Sequence, residues 1–560
     1  LSTRAADLVL LNGRVITVDD RFSLASALAI ERNVIAAVGQ DADIRQRIGL
    51  QTRVFDLQGR AAMPGLIDGH AHLDREGLKT VFPSLGRVRS IGDIQDRIAE
   101  LARGKKPGEW IVTMPIGDPP YYRDVPDILA EKRFPNRHDI DKAAPDNPVY
   151  IRPIWGFWRH TPPLVSIANS RALAEAGITR DTVSPIGFVQ IEKQFATGEP
   201  TGIFYEWTMM PLVELTLLRG VPGFTHDDRV RTLPLAMQAY HAYGTTSIFE
   251  EHGVATELMH AYKEVKQRGE LTVRSTLVHS PHWKSVSGLP IGPLLDAWAG
   301  WLREPALGDD FLKVSGLLLD IGGGAENDLR ASASPYTGWA GFNYDTGLAR
   351  ERAKEVALAC ARNNIRVVGI WPNVLDLYEE VNRETPIVDR RWVLGHISAL
   401  NSRDVGRIRD LGLVVSAHTN RYILKEGHLL RQRLGPEREN EISPLRALTD
   451  AGVKVSLATD NVPTSMFHPI HQSIVRRSHY SGEVIAADER LTREQALRAA
   501  TINGAYLTFD EGRKGSLEPG KLADIAVLSA DPLTVEEEEI MNIRAELTFV
   551  DGKLVYELPT

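Results

Sequence analysis

The sequence predicts a distorted (β/α)8 TIM-like barrel, with a subdomain inserted after the first barrel strand and a small β-sandwich formed by both chain ends. Three observations carry that expectation. Short β-prone runs bounded by turn residues stand at both termini, apolar runs ending in ionisable residues alternate with helical patterns between them, and residues 80–240 interrupt that alternation after its first strand.

Taken in order, residues 7–17 read as two β-prone runs about Asn12-Gly13, the signal of a type I′ hairpin, and residues 27–39 as a second hairpin turning near Arg32-Asn33. Residues 523–528 and 545–556 repeat the pattern, with Asp551-Gly552 as the turn. Neither set alone makes a sheet with a protected core, so residues 1–63 and 515–560 are expected to form one composite sandwich.

The barrel is expected over residues 64–514. Its β-prone runs end at His72, near Glu251, near His279, near Asp320, at Trp371, at His396, at His418 and at Asp460. Helical patterns such as 349–363 and 402–410 lie between them, and Thr492 with Gln495 three residues later marks a capping box after the last strand. In such barrels the chemistry gathers at the C-terminal strand ends, where these ionisable residues fall. The insertion at 80–240 carries its own helix at 91–101 and aromatic turns at Pro119–Tyr122 and Trp155–Trp158. Emerging beside the first strand, it is expected to roof the site and shape specificity; read instead as a dimerisation appendage, it would make the protein a homodimer.

Composition narrows the function classes. Sixty-five basic against 73 acidic residues leave a net charge of -8, with no basic footprint for nucleic acid. The acidic run Glu536 to Glu539 reads as a solvated segment. One cysteine, Cys360, excludes an intrachain disulfide, and its helical apolar surroundings read as a buried inert thiol. No apolar run approaches the roughly 18–20 residues of a membrane helix. The expected location is the cytoplasm, a removed leader being compatible with a chain that begins at Leu1.

The organising motif is Met63-Pro-Gly-Leu-Ile-Asp-Gly-His70-Ala-His72-Leu73. At strand period two, both histidines leave one face, where a single metal ion can take both. This segment, with Ala144-Pro-Asp-Asn-Pro-Val149, Asn169-Ser-Arg-Ala-Leu173, Gly198-Glu-Pro-Thr-Gly202, Asp450-Ala-Gly-Val453, Thr459-Asp460 and Gly515 to Asp524, resembles the amidohydrolase superfamily, in its large branch called amidohydrolase family three. The resemblance implies a role for each matching position. His70 and His72 would be first-strand metal ligands, Lys313 a fourth-strand lysine carboxylated by CO2 to bridge two ions, His396 a sixth-strand ligand, and Asp460 both a ligand and the general base and acid. Imidazole and carboxylate donors suit Zn²⁺ or a similar divalent ion, whereas a lysine ligates only when deprotonated or carbamylated.

The chain departs from the family pattern at the fifth strand. Where a histidine is expected, Arg366-Val-Val-Gly-Ile-Trp-Pro-Asn-Val374 has none. One ion held tightly at the His70/His72 side is therefore expected, with a second weak or absent. Glu251, His252, His279 and His418 could compensate if their side chains point inward, which period-two reasoning alone does not decide. His160 is a candidate substrate-orienting donor, and Tyr121, Tyr122, Trp155, Trp158 and Trp371 hint at a small-molecule substrate with an apolar or aromatic part.

The resemblance implies a metal-dependent hydrolase cleaving a C–N amide-type bond: an N-acyl or N-formyl amine, a cyclic amide or a urea-like group. Deaminase and ester or lactone hydrolase are alternatives on the same site, and a small-molecule-binding barrel without turnover is a third.

Overall fold

The structure, a computed structural model, describes residues 5–119, 122, 124–154, 163–208, 211–322, 325–332 and 337–559. The chain divides into two compact units: residues 1–76, 233–322 and 346–560 form one, and residues 77–232 and 323–345 the other.

The first unit is built on a parallel sheet whose strands neighbour one another in chain order: β1 (Leu66–Asp68), β2 (Thr245–Val254), β3 (Arg274–His279), β4 (Leu312–Leu318), β5 (Val367–Gly369), β6 (Val393–Leu394), β7 (Val414–Ala417) and β8 (Lys454–Leu457). The short strand Leu307–Gly308 pairs antiparallel with β4. Past the ends of β1 and β8 the sheet all but closes, through hydrogen bonds from Gly69 N–H to Leu457 O and from Asp460 N–H to His70 O, both 3.0 Å. Gly69 permits that approach, since a Cβ there would collide with Ser456 and the Leu457 carbonyl. Helices Thr256–Gln267, Ile291–Leu302, Arg350–Arg362, Leu375–Glu384, Ser402–Asp410 and Leu445–Asp450 alternate with the strands, which makes a TIM-like (β/α)8 barrel.

Local chemistry sets the helix ends. Asn401 accepts a hydrogen bond from Asp404 N–H to open Ser402–Asp410, whose Val405 and Ile408 are buried and whose last turn carries Arg407 and Arg409. Thr492 and Gln495 make both bonds of the capping box that opens Arg493–Ala499. Cys360 is buried in Arg350–Arg362, and burial holds its thiol well above the usual range.

Inside the barrel, Phe249, Val278, Leu318, Val368, Val393 and Val414 form one apolar cluster, which identifies the inward face of β2 to β7. The histidines of the motif do not lie on β1. That strand ends at Asp68, and Ala61–Pro64 before it belongs to a different sheet, because Pro64-Gly65 redirects the chain where Gly65 packs against Thr246.

The chain ends contribute two sheets. One orders Lys553–Glu557, Ala545–Val550, Ile525–Leu528, Ala61–Pro64, Arg14–Ile16 and Leu24–Ala25, and the other Val34–Gly39, Ala27–Glu31, Leu8–Leu11 and Arg53–Asp56. Leu10, Ile30, Val15, Ile525 and Phe549 share one buried cluster drawn from both. Asn12-Gly13 is a turn but not a hairpin. It carries the chain from one sheet to the other, because Leu8–Leu11 finds its partners in Ala27–Glu31 and Arg53–Asp56. Arg32 and Asp551-Gly552, all at positive φ, do join antiparallel strands.

The second unit holds a five-stranded sheet ordered Val189–Lys193, Pro200–Glu206, Leu164–Ala168, Val149–Ile151 and Ile111–Thr113. The helix Ile91–Ala102 is capped by Ser90. Within the unit, buried Arg152 lies between the Phe82 and Phe224 rings and bonds both carboxylate oxygens of Glu214 at 2.8 Å. Among the described residues no helix is long and apolar enough to cross a membrane.

Candidate active site

The ends of β1, β2, β6, β7 and β8 bring five imidazoles and four carboxylates together. Asp68 anchors the arrangement. Its Oδ1 accepts from His70 N–H (3.1 Å) and Thr459 N–H (3.0 Å), and its Oδ2 from the Thr459 hydroxyl, tying the segment after β1 to that after β8. Burial nonetheless pushes the Asp68 carboxyl up to about 6, against those hydrogen bonds. Asn461 completes the tie, accepting from His72 N–H (2.8 Å) and donating to the His72 carbonyl (2.5 Å), while Tyr240 donates to its Oδ1 (2.8 Å). Asp460 and Asn461 both sit at positive φ, a backbone shape that L-residues adopt only when their surroundings impose it.

The donor atoms converge. His70 Nε2 and His72 Nε2 are 3.1 Å apart, and Asp460 Oδ1 lies 3.2 Å from His72 Nε2 and 3.8 Å from His70 Nε2. Asp460 Oδ1 is buried and accepts no hydrogen bond. Bonds of about 2.0–2.2 Å to a tetrahedral zinc would set its ligands roughly 3.3 Å apart, so these spacings fit one divalent ion. Two groups of buried donors lie within 4.8 Å of one another: His70, His396, His418 and Asp460, and His70, His72 and His252.

Adjacent carboxylates of β2 stand behind the two motif histidines. Glu251 Oε2 accepts from His70 Nδ1, and Glu250 Oε2 lies 3.6 Å from His72 Nδ1. Glu251 fits because position 395 is glycine, whose Cβ would strike its carboxylate. The Glu251 carboxylate, hydrogen-bonded to His70 Nδ1, fixes that ring's tautomer and aims its Nε2 lone pair forward, the usual support of a metal-ligating histidine. Glu250 also accepts from Leu73 N–H and Tyr262 Oη, and burial with Asp74 nearby raises its carboxyl to about 8.

Burial holds His72, His252, His396 and His418 well below the usual imidazole range, so their nitrogen lone pairs are available. At His70 burial acts in the same direction, but the Glu251 and Asp460 carboxylates outweigh it and the ring is raised. His396, itself at positive φ, stacks on His418 at 4.0 Å between centroids, and Trp371 lies 4.8 Å from the His396 ring. A π-helical segment, Asn420–Lys425, follows β7 and brings the Tyr422 hydroxyl to 3.2 Å from His396 Nδ1.

Of the residues expected from sequence, His70, His72, His252, His396, His418, Asp460, Glu251 and Trp371 are thus brought together. Lys313 is not. It is the second residue of β4, at the opposite end of the strand from the histidines, where its ammonium donates to Thr508 O and Asp510 Oδ2, both 2.7 Å. A cationic side chain paired with a carboxylate there can neither reach the cluster nor serve as its carbamate bridge. His279 is also elsewhere. On β3 it is Val278 that faces the barrel interior, so His279 turns outward against Trp298 and Trp301 at 5.5 and 5.0 Å, and burial lowers its ring to about 4. Tyr121, Trp155, Trp158 and His160 lie outside the described residues; Tyr122 is buried. Sequence reasoning did not single out Asp68, Glu250, Asn461 and Tyr422. Asp68, Glu250 and Asn461 lie in or beside segments that the sequence marks, whereas nothing local marks Tyr422.

A parallel barrel with imidazoles and a carboxylate convergent at its C-terminal strand ends defines the class of barrel hydrolases that work with a divalent ion. The family model described as the amidohydrolase family matches residues 53–556, and the chain belongs to that family, hydrolases of carbon–nitrogen bonds. It is 27% identical over 569 residues to an N-substituted formamide deformylase of Arthrobacter pascens, covering 99% of both chains. It is 26% identical to the protein LONG AFTER FAR-RED 3 of Arabidopsis thaliana, over 98% of this chain and 92% of that one. In fold it resembles an uncharacterised metal-dependent hydrolase from Pyrococcus furiosus, with a TM-score of 0.67 and 21% identity over 94% of this chain and 100% of the other.

Proposed function

We propose that this protein hydrolyses the C–N bond of a small N-acyl or N-formyl amine, or of a related cyclic amide or urea, with one divalent ion, zinc by preference, held by His70, His72, His396 and Asp460. The observation that carries the reading is the convergence of His70 Nε2, His72 Nε2 and Asp460 Oδ1 within 3.1–3.8 Å, all buried. A divalent ion bound there supplies hydroxide near neutral pH and polarises a carbonyl oxygen.

The chain's own groups do the rest. Glu251 keeps His70 in the Nδ1–H tautomer. Asp460, its backbone fixed against the His70 carbonyl, takes the proton of the attacking water on its carboxylate and returns it to the leaving nitrogen, so that the amine departs neutral. Trp371, against His396, offers an apolar wall, which favours a substrate with an aromatic or alkyl group near the scissile bond. The deformylase named above supports N-formyl amines as the first substrates to try. The shared apolar cluster of the two terminal sheets supports reading residues 1–63 and 515–560 as one sandwich and 64–514 as the barrel with its insertion.

Elemental analysis of the purified protein, run with a panel of N-formyl amines, N-acyl amines, esters and amidines, tests this reading. Amine and carboxylate release by metal-loaded protein is expected. Ammonia release from the amidines alone would make it a deaminase, and ligand binding without turnover of any class would make it a binding barrel.

A further inference from the structure

The fifth strand supplies no imidazole. β5 continues into Ile370, which joins the interior apolar cluster, and Trp371, which lies on His396. A histidine stands at the corresponding end of a different strand. Along β7 the inward face runs Val414, Ser416 and then His418, two residues apart: Val414 is in the interior cluster and the Ser416 hydroxyl reaches the Gly69 carbonyl at 3.3 Å.

His418 is 2% exposed, and its ring centroid lies 4.4 Å from that of His70 and 4.0 Å from that of His396. One of its nitrogens falls within 4.8 Å of donor atoms of His70, His396 and Asp460. Neither ring nitrogen has a hydrogen bond of normal geometry, although a backbone group of Ser416 lies near enough to act on the ring. Buried polar groups without partners cost free energy and are uncommon, and here one would lie among three metal-competent donors. Stacking on His396 explains where the ring lies but leaves both nitrogens unsatisfied.

We propose that His418 is itself a metal ligand, the seventh strand supplying the imidazole that the fifth lacks. The inference rests on the metal-dependent reading above and extends its ligand set. With the ligand taken from β7, the β5 side of the site is left to the Trp371 indole.

The test compares cobalt-loaded wild-type protein with His418→Gln and His418→Ala, with His279→Ala as a buried histidine outside the site. The chelator concentration that strips half the Co²⁺ and the cobalt absorption spectrum are read together with a thermal melt. His418→Gln and His418→Ala should release the ion at least about tenfold more readily, the lower end of the loss seen when even a supporting group is removed, and should shift the spectrum. His279→Ala should do neither. Folded His418 variants with wild-type retention and an unchanged spectrum overturn the inference while leaving the metal reading intact; wild-type protein that takes up no ion removes both. A crystal structure of zinc-loaded wild type decides the matter even if the variants fail to fold, by whether a His418 nitrogen lies about 2.0–2.1 Å from the ion.

Discussion

Asp460 and His70 are joined twice: Asp460 N–H donates to the His70 carbonyl at 3.0 Å, and the Asp460 carboxylate faces His70 Nε2 at 3.8 Å. The backbone bond fixes where the side chains meet, so the proposed general base and the first ligand are positioned by one closure of the barrel rather than by separate loops. This is the kind of placement on which proton transfer depends, since the base must stay within reach of both water and leaving group.

Asp460→Asn keeps the size and the backbone bond but removes the proton acceptor. Turnover should fall by about 10²–10⁴, the range of general acid–base catalysis, while the thermal melt stays near wild type. Near-normal kcat in a folded, metal-loaded variant would sink the mechanism.

Glu251→Gln leaves the space beside Gly395 filled but replaces the anion behind His70 with a neutral amide. Metal affinity should weaken roughly 10–100-fold, as for other supporting carboxylates. Chelator competition reads this directly, and unchanged affinity would show that Glu251 does not orient His70 for a metal.

Lys313→Met discriminates between the role implied by family resemblance and the place the side chain occupies. Metal content should be unchanged. Stability should drop by about 1.5–3 kcal/mol, the typical worth of hydrogen bonds to charged groups, because Asp510 and the Thr508 carbonyl lose a donor. Loss of a stoichiometric ion on this substitution would restore the lysine to the metal site.

Glu206, in the second unit, links stability to pH. Burial, with the Glu214 carboxylate adding to it, raises its carboxyl to about 8, against about 4.3 in an unfolded chain. The folded state therefore holds the extra proton between those values. The stabilisation tied to that proton is full below about pH 4.3 and is lost as pH rises through about 8. Glu206→Gln, which cannot ionise, should gain on wild type in melting temperature from pH 5 to pH 8 and hold a constant difference above. A difference independent of pH would disprove the buried neutral carboxyl.

Strand-end chemistry is legible in a linear chain because it depends on short-range patterns. The His70-Ala-His72 spacing, the apolar runs before His396, His418 and Asp460, and the helical repeats between them determine a parallel barrel with donors at one end. Capping boxes and turns such as Thr492–Gln495 and Asp551-Gly552 are local for the same reason. Other outcomes required the tertiary structure. Lys313 and Asp320 belong to one apolar run, and only the pairing of β4 with its neighbours shows which end of the barrel each occupies. His279 and His418 look alike in sequence, yet one faces Trp298 and Trp301 and the other faces His70, because a strand has two faces and its register is set by partners far away in the chain. Glu250 and Glu251, neighbours in sequence, both face the motif histidines at a point where β2 departs from regular register between Glu250 and Val254, with Gly253 at positive φ. The sequence thus determined which residue types reach the strand ends, while long-range pairing decided which of them meet.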